Sequence, residues 1–208
     1  MAHYSISVNL AHRKCVVVGG GKIAERKAKT LLDFDARVHV VSPELTATLS
    51  ELANQGLIEH AAQNYNSTHL DGAFLAVAAT DDMLVNRAVS VDAQSRNILV
   101  NVVDVPELCT FFVPAMVRRG DLVISVSTSG KSPALARRIR QRLESDFGSE
   151  YGELAALLGE VRSEVKALYP DISDRNRAYL RILDSDVLDL LAAGRTKEAI
   201  ERARECIL

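Results

Sequence analysis

The feature that most restricts this chain is a junction. The apolar run Cys15-Val16-Val17-Val18 stops at Gly19-Gly20-Gly21, and a helical stretch, Lys22 to Asp33, begins at once. A short uninterrupted apolar run suits a parallel strand covered on both faces. The glycines carry the spacing G-x-G-x-x-A, with Gly19, Gly21 and Ala24 at the fixed places. Gly19 permits a tight strand-to-helix turn, Gly21 leaves room for a pyrophosphate to approach the backbone, and Ala24 lets the helix pack closely on the strand. A helix beginning there offers unpaired N–H groups and a partial positive charge to phosphates. Strand, glycine turn and helix in this order predict a dinucleotide-binding unit. The alternative is a glycine turn that binds nothing.

The alternation continues. Arg37–Val41 predicts a second strand, and Ser42-Pro43 after it reads as a helix cap and first turn, with Leu45, Leu49 and Leu52 as the apolar stripe. Three more strands are expected at Leu57–Ala61, Ala73–Ala78 and Asn97–Val102, and Thr80-Asp81-Asp82 caps a helix running to about Ser95. Ahead of them all, Ile6, Val8 and Leu10 alternate with polar residues and predict a half-buried strand. This order implies an α/β fold, a Rossmann-type doubly wound parallel sheet with right-handed crossovers. Such sheets bind ligands at the carboxyl ends of their strands, and a carboxylate ending the second strand usually holds the ribose. Here that place is Val41-Ser42-Pro43, with Glu44 the nearest carboxylate. Ser42 and the backbone after it could still take the ribose. Arg37 lies at the wrong end of its strand for a 2′-phosphate, which favours NAD over NADP.

Beyond residue 112 the pattern changes. Phe111–Pro114 and Asp121–Ser127 look like strands too close together for a crossover helix, and the chain is helical from Ser132-Pro133 onward, punctuated by Pro170 and Gly194. The reading is a dinucleotide-binding domain at 1–112, a dimerising or linking segment at 113–148, and a small all-helical C-terminal domain at 149–208. Gly130-Lys131-Ser132 mimics the end of a P-loop, but the earlier glycine would have to fall at Ser125, so a triphosphatase is excluded. A net charge of -2 gives no reason to expect nucleic acid or an anionic membrane as partner. No apolar stretch is long enough to span a bilayer, and Met1 to Lys14 lacks a signal-peptide pattern. Cys15, Cys109 and Cys206 form no CxxC pair, and the five histidines show no ligand spacing, so no metal site is expected. Reduced cysteines and solubility suit a cytoplasmic protein.

Four segments resemble the precorrin-2 dehydrogenase/sirohydrochlorin ferrochelatase family, which includes the N-terminal part of sirohaem synthases. They are VVVGGGKIAERKAKTLL, AVAATDD at 76–82, NVVDVPELCTFFVPA at 101–115 and RGDLVISVSTSGKSPALARRIRQRLE at 119–144. The resemblance implies NAD-dependent oxidation of the tetrapyrrole precorrin-2 to sirohydrochlorin, and, in parts of the family, insertion of Fe2+ as a second substrate. It also implies a homodimer. It places dinucleotide contacts on Gly21, Lys22, Ile23, Pro43, Glu44, Thr80 and Asp81, and the key carboxylate on Asp104. The loop serine that is phosphorylated in some relatives corresponds to Thr128 here.

Asp104 can also be argued from chemistry. It follows the fifth strand, at the ligand-facing edge, and removing hydride from a reduced macrocycle leaves a cation that must lose a proton to a nearby base. The bland alternative is a loop aspartate capping a turn. A substrate with eight carboxylates calls for fixed cations. Lys131 and Arg138 are the best candidates among the basic residues at 118–142, most of which read as a solvated face. A non-catalytic NAD-sensing module is the alternative function. A different small-substrate dehydrogenase would offer a Tyr-Lys pair or a strand-end His, and neither is found.

Overall fold

The computed structural model describes residues 3–208, and the chain divides into two units, one reaching to Val113 and one from Pro114 to Leu208. In the first, β1 (Lys14–Val18) is the central strand of five, and its last four residues are fully or almost fully buried. Around it lie α1 (Lys22–Leu32), β2 (Arg37–Val41), α2 (Ala47–Asn54), β3 (Ile58–Ala61), β4 (Leu75–Ala78), α3 (Met83–Ser95) and β5 (Leu99–Val102). All pairings are parallel, in the order β3-β2-β1-β4-β5. The Rossmann-type doubly wound sheet is therefore present. The uninterrupted apolar run of β1 has a direct cause. Cys15 and Val17 pack with Ala24, Ala28 and Leu31 of α1 and Leu49 of α2, while Val16 and Val18 pack with Val89 and Ala93 of α3. Neither face meets water, so neither can be polar.

Two expectations fail here. Residues 6–10 form no strand; Tyr4 and Ile6 are exposed, and Leu10 alone reaches the core. Alternation specifies a buried face but not a neighbouring strand, and the β5 edge is already closed by side chains. The Val100 N–H donates to Thr110 Oγ1 (2.8 Å) and the Val102 N–H to Cys109 Sγ (3.2 Å). Nor does Ser42-Pro43 open α2. The Ser42 N–H continues the β-ladder to the Ala61 carbonyl, and the cap is Thr46, four residues later, whose Oγ1 accepts from the Leu49 N–H.

In the second unit, β6 (Ala115–Arg119) and β7 (Leu122–Val126) form an antiparallel pair, followed by α4 (Pro133–Asp146), α5 (Ser149–Glu160), α6 (Arg162–Leu168), α7 (Ile172–Leu183), α8 (Val187–Ala192) and α9 (Thr196–Ile207). The strand expected at Phe111–Pro114 starts at Ala115 instead, because Thr110 and Phe111 spend their N–H groups on the Val100 carbonyl. Ser132 caps α4 by accepting from the Leu135 N–H, with Pro133 in the first turn, which disposes of the P-loop mimic. Arg119 is structural: its guanidinium donates to the Glu144 and Phe147 carbonyls at the end of α4. The helical core joins Leu154, Leu157, Val161, Val165, Ile182, Val187 and Ile207. No described helix is long and apolar enough to cross a membrane.

Gly152 sets how closely α5 approaches the β6–β7 turn, since a Cβ there would lie 2.6 Å from the Arg119 carbonyl oxygen. Gly152→Ala should lower the unfolding free energy by about 1–3 kcal/mol, as overpacking of a filled site does. Urea denaturation followed by circular dichroism measures it, and an unchanged midpoint would contradict this packing.

Candidate functional site

Register brings the strand ends to one edge. Val18 pairs with Val41 and Ala78, and Ala78 with Val102, so Gly19, Ser42, Thr80 and Asp104 follow neighbouring strand tips. The order of strands reverses between β1 and β4, the crevice where open α/β sheets take their ligands. The three glycines divide the work there. Gly19 has φ +121°, its N–H donates to the Val41 carbonyl (2.9 Å), and a Cβ would lie 2.3 Å from the Ala79 oxygen. A Cβ on Gly20 would lie 1.8 Å from the Glu44 carbonyl oxygen. Gly21, the N-cap of α1, has nothing within 4 Å of the position its Cβ would take. Gly19 and Gly20 are thus required by the protein's own packing, while Gly21 faces open space at a helix N-terminus without a side-chain cap. That space is open to the approach of a ligand to the backbone. The fingerprint spacing treats Gly20 as filler, so its role was not legible.

Lys22 and Ile23 are exposed in the first turn, and Ala24 is fully buried against the sheet. Pro43 and Glu44 are exposed on the loop after β2, and the Ser42 carbonyl lies 2.9 Å from His60 Nε2. The loop is knitted to the glycine turn: the Thr46 N–H donates to the Gly20 carbonyl (3.0 Å), and its hydroxyl donates to Glu25 (2.7 Å). Glu25 also accepts from Lys29 and Lys22. The Thr46 hydroxyl and then the Lys29 ammonium hold its carboxyl down to about 2, against partial burial and with help from Lys22.

After β4, Thr80 and Asn86 lock together. The Thr80 hydroxyl donates to Asn86 Oδ1 (2.9 Å), and the Asn86 amide donates to the Thr80 carbonyl (2.9 Å). Asn86 is 4% exposed, and nothing in the sequence around it marks a polar helical residue as buried. Asp82, not Thr80 or Asp81, caps α3 by accepting from the Leu84 N–H; Asp81 stays exposed.

Asp104 is exposed beyond β5, with φ +59°. Its loop is tied down by Cys109, whose Sγ lies 3.3 Å from the Val102 oxygen and 3.4 Å from that of Val105. Burial pushes the Cys109 thiol up, which keeps its proton available for donation. Burial, then the Arg26 charge, lowers the Lys27 ammonium on α1, while the Asp104 carboxylate opposes that shift. Lys131 and Arg138 belong to the second unit. Both are exposed, and among the described residues neither they nor Arg137 form an ion pair, whereas Arg140 pairs with Glu144 and Arg142 with Asp146. The Thr128 hydroxyl accepts from the Ser132 N–H. No group of three or more His, Cys, Asp or Glu among the described residues could hold a metal ion.

Comparison with known proteins adds three family matches: an NAD(P)-binding family over residues 6–115, the sirohaem biosynthesis protein central region over 119–146, and the sirohaem synthase dimerisation region over 150–206. The sirohaem synthases of Chromobacterium violaceum and Methylobacillus flagellatus are each 44% identical over 203 residues, 98% of this chain. That of Pseudomonas entomophila is 46% identical over 186 residues, 89% of this chain. The chain spans 43% of the length of the first two relatives and 40% of the third. A solved structure described as SirC, precorrin-2 dehydrogenase, is 28% identical with a TM-score of 0.79, covering 98% of this chain and 100% of that one.

The glycines predict opposite phenotypes. Gly21→Ala should cost only the loss of a glycine N-cap, about 1 kcal/mol or less, because its φ of -81° suits any residue and nothing crowds it. It should nevertheless weaken NAD binding at least tenfold. Gly19→Ala should lose about 1–3 kcal/mol or more of stability through strain and overlap. Thermal unfolding and calorimetric NAD titration separate the two, and equal stability losses would contradict the division.

Acid should expose Glu25. A carboxylate held at about 2 contributes stability that is complete above its ordinary value of 4.5 and fades as pH falls from there toward 2. Unfolding midpoints measured across that window should fall less steeply in Glu25→Gln than in wild type. Parallel profiles would rule the pairing out.

Proposed function

The chain belongs to the sirohaem synthase family, and from that premise we propose that it oxidises precorrin-2 to sirohydrochlorin with NAD as hydride acceptor. The observation that carries this reading is the match, along almost the whole of both chains, to the solved precorrin-2 dehydrogenase. Physical support comes from the glycine turn, whose one uncrowded glycine leaves open space at the N-terminus of α1.

NAD, when bound, supplies the two-electron acceptor. The protein's own residues do the rest. Gly19, Gly21, Lys22, Ile23 and Ala24 would hold the pyrophosphate, the first-turn N–H groups and the Lys22 cation supplying positive potential to the phosphates. Ser42, Pro43 and Glu44 form the ribose end, and Thr80 and Asp81 line the crevice between. Asp104 is the base: as hydride leaves one carbon of the macrocycle, a proton on the adjoining carbon passes to its carboxylate, and the new double bond forms between them. We assign to the same carboxylate the acceptance of a pyrrole N–H proton when ferrous iron, as substrate, enters the product. Lys131 and Arg138 meet substrate carboxylates. The segment 113–148 and the helical domain 149–208 serve assembly into a homodimer, and the protein works in the cytoplasm.

One assay tests this. Under anaerobic conditions with precorrin-2 and NAD, sirohydrochlorin absorbance should rise, and later addition of Fe2+ should convert it further. Asp104→Ala should cut turnover roughly 10²-fold or more, the typical share of a general base. Lys131→Glu or Arg138→Glu should raise KM for precorrin-2 several-fold. Undiminished turnover in Asp104→Ala would remove the base, and NAD binding without any precorrin-2 oxidation would mark a regulatory module instead.

A further inference from the structure

Glu25 is the one carboxylate of α1 that is buried, at 9% exposure, on a helix whose N-terminus opens onto the crevice. A charge is stable in such a place only when paired and hydrogen-bonded. Three donors converge on it: Thr46 Oγ1 at 2.7 Å, Lys29 Nζ at 3.0 Å and Lys22 Nζ at 3.2 Å. Lys29 lies one turn along the same helix and balances the charge. The other two come from the dinucleotide crevice itself. Lys22 opens α1 beside Gly21, and Thr46 ends the loop that follows β2.

Thr46 is held at three points. Its N–H donates to the Gly20 carbonyl, its hydroxyl donates to Glu25, and the same oxygen accepts from the Leu49 N–H at the start of α2. Together with Gly20, which has no room for a Cβ against the Glu44 carbonyl, these contacts press residues 42–46 onto the glycine turn. The arrangement answers an absence in the sequence. Rossmann sites usually hold the ribose with a carboxylate at the end of the second strand, and β2 ends in Val41-Ser42-Pro43. Ribose recognition then falls to Ser42 and to backbone, and a site made of loop backbone is only as exact as the loop's position.

We propose that Glu25 is the positioning residue of the dinucleotide crevice, clamping the 42–46 loop onto the glycine turn through Thr46 and aiming Lys22 along the helix mouth. This rests on the reading that a dinucleotide lies over Gly21. Glu25 itself faces the protein and touches no ligand; it acts by fixing the groups that do, so its removal loosens the site before binding.

The test is calorimetric titration of the full chain with NAD, for wild type, Glu25→Gln, Thr46→Val, the double variant and Thr46→Ser. Thermal unfolding without NAD and steady-state kinetics accompany it. Glu25→Gln and Thr46→Val should each weaken NAD binding about tenfold, and the double variant little further, because both break one clamp. The loss should appear in Kd and in KM for NAD, with kcat at saturating NAD retained. Thr46→Ser keeps the hydroxyl and the cap and should bind NAD within about twofold of wild type. Lower unfolding temperatures with wild-type NAD affinity would make Glu25 purely structural and overturn the proposal, as would losses that simply multiply in the double variant. Wild-type chain that fails to bind NAD would overturn the underlying reading and this one with it, an outcome distinct from variants that bind as well as wild type.

Discussion

Everything at the ligand edge of the first unit depends on how little space surrounds Gly19. Its N–H bonds the last carbonyl of β2, and its α-carbon sits against the carbonyl that follows β4. Only a residue without Cβ, free to take φ +121°, can leave β1 under that carbonyl and turn immediately into α1. Because β1 is the central strand, its turn fixes the starting point of α1 relative to both neighbours. Gly20 extends the same constraint sideways, letting the loop after β2 lie on the turn. The opening at Gly21 is what remains when the two preceding glycines have been filled by the protein itself.

The two sides of that opening are held by different chemistry. On the β2 side the contacts are ionic and polar: Glu25, Thr46 and two lysines, with the carboxylate kept charged by its partners. On the β4 side they are neutral, an exchange of hydrogen bonds between Thr80 and the buried Asn86. A buried neutral pair is insensitive to salt and pH, whereas the ionic cluster is not. The β2 side is therefore the one whose contacts respond to acid.

Much of this architecture was legible in the residues, for identifiable reasons. β1 announced itself because a strand covered on both faces must be apolar throughout, β2 because Val38, Val40 and Val41 are buried, and the helix starting at Lys22 followed from the glycines. Residues 6–10 misled because a period of two states which face is buried and says nothing about a neighbour. The β5 edge they might have joined is closed by Cys109 and Thr110, side chains whose role depends on folding back across a turn. Ser42-Pro43 misled because a good cap sequence competes with a ladder bond, and the ladder won. Glu25 and Asn86 were invisible for a common reason. A polar residue on a helix reads as solvated unless its partner is known, and Thr46 lies 21 residues from Glu25 in sequence.

The same closure of the β5 edge bears on how an exposed carboxylate can be exact. The Asp104 side chain has no hydrogen bond among the described residues, so nothing of its own fixes it. Its backbone is fixed instead. The Val103 N–H donates to the Ala78 carbonyl (3.0 Å), the Val105 N–H to the Val102 carbonyl (3.3 Å), and the Cys109 sulfur spans the carbonyls on either side of the turn. Between them Asp104 is forced to φ +59°, a conformation that aspartate accepts more readily than most residues. For the base role proposed for Asp104, the position is set by the backbone while every lone pair of the carboxylate stays open to a proton donor. The chain is held rather than the side chain, and the holding is done with a thiol that burial keeps protonated.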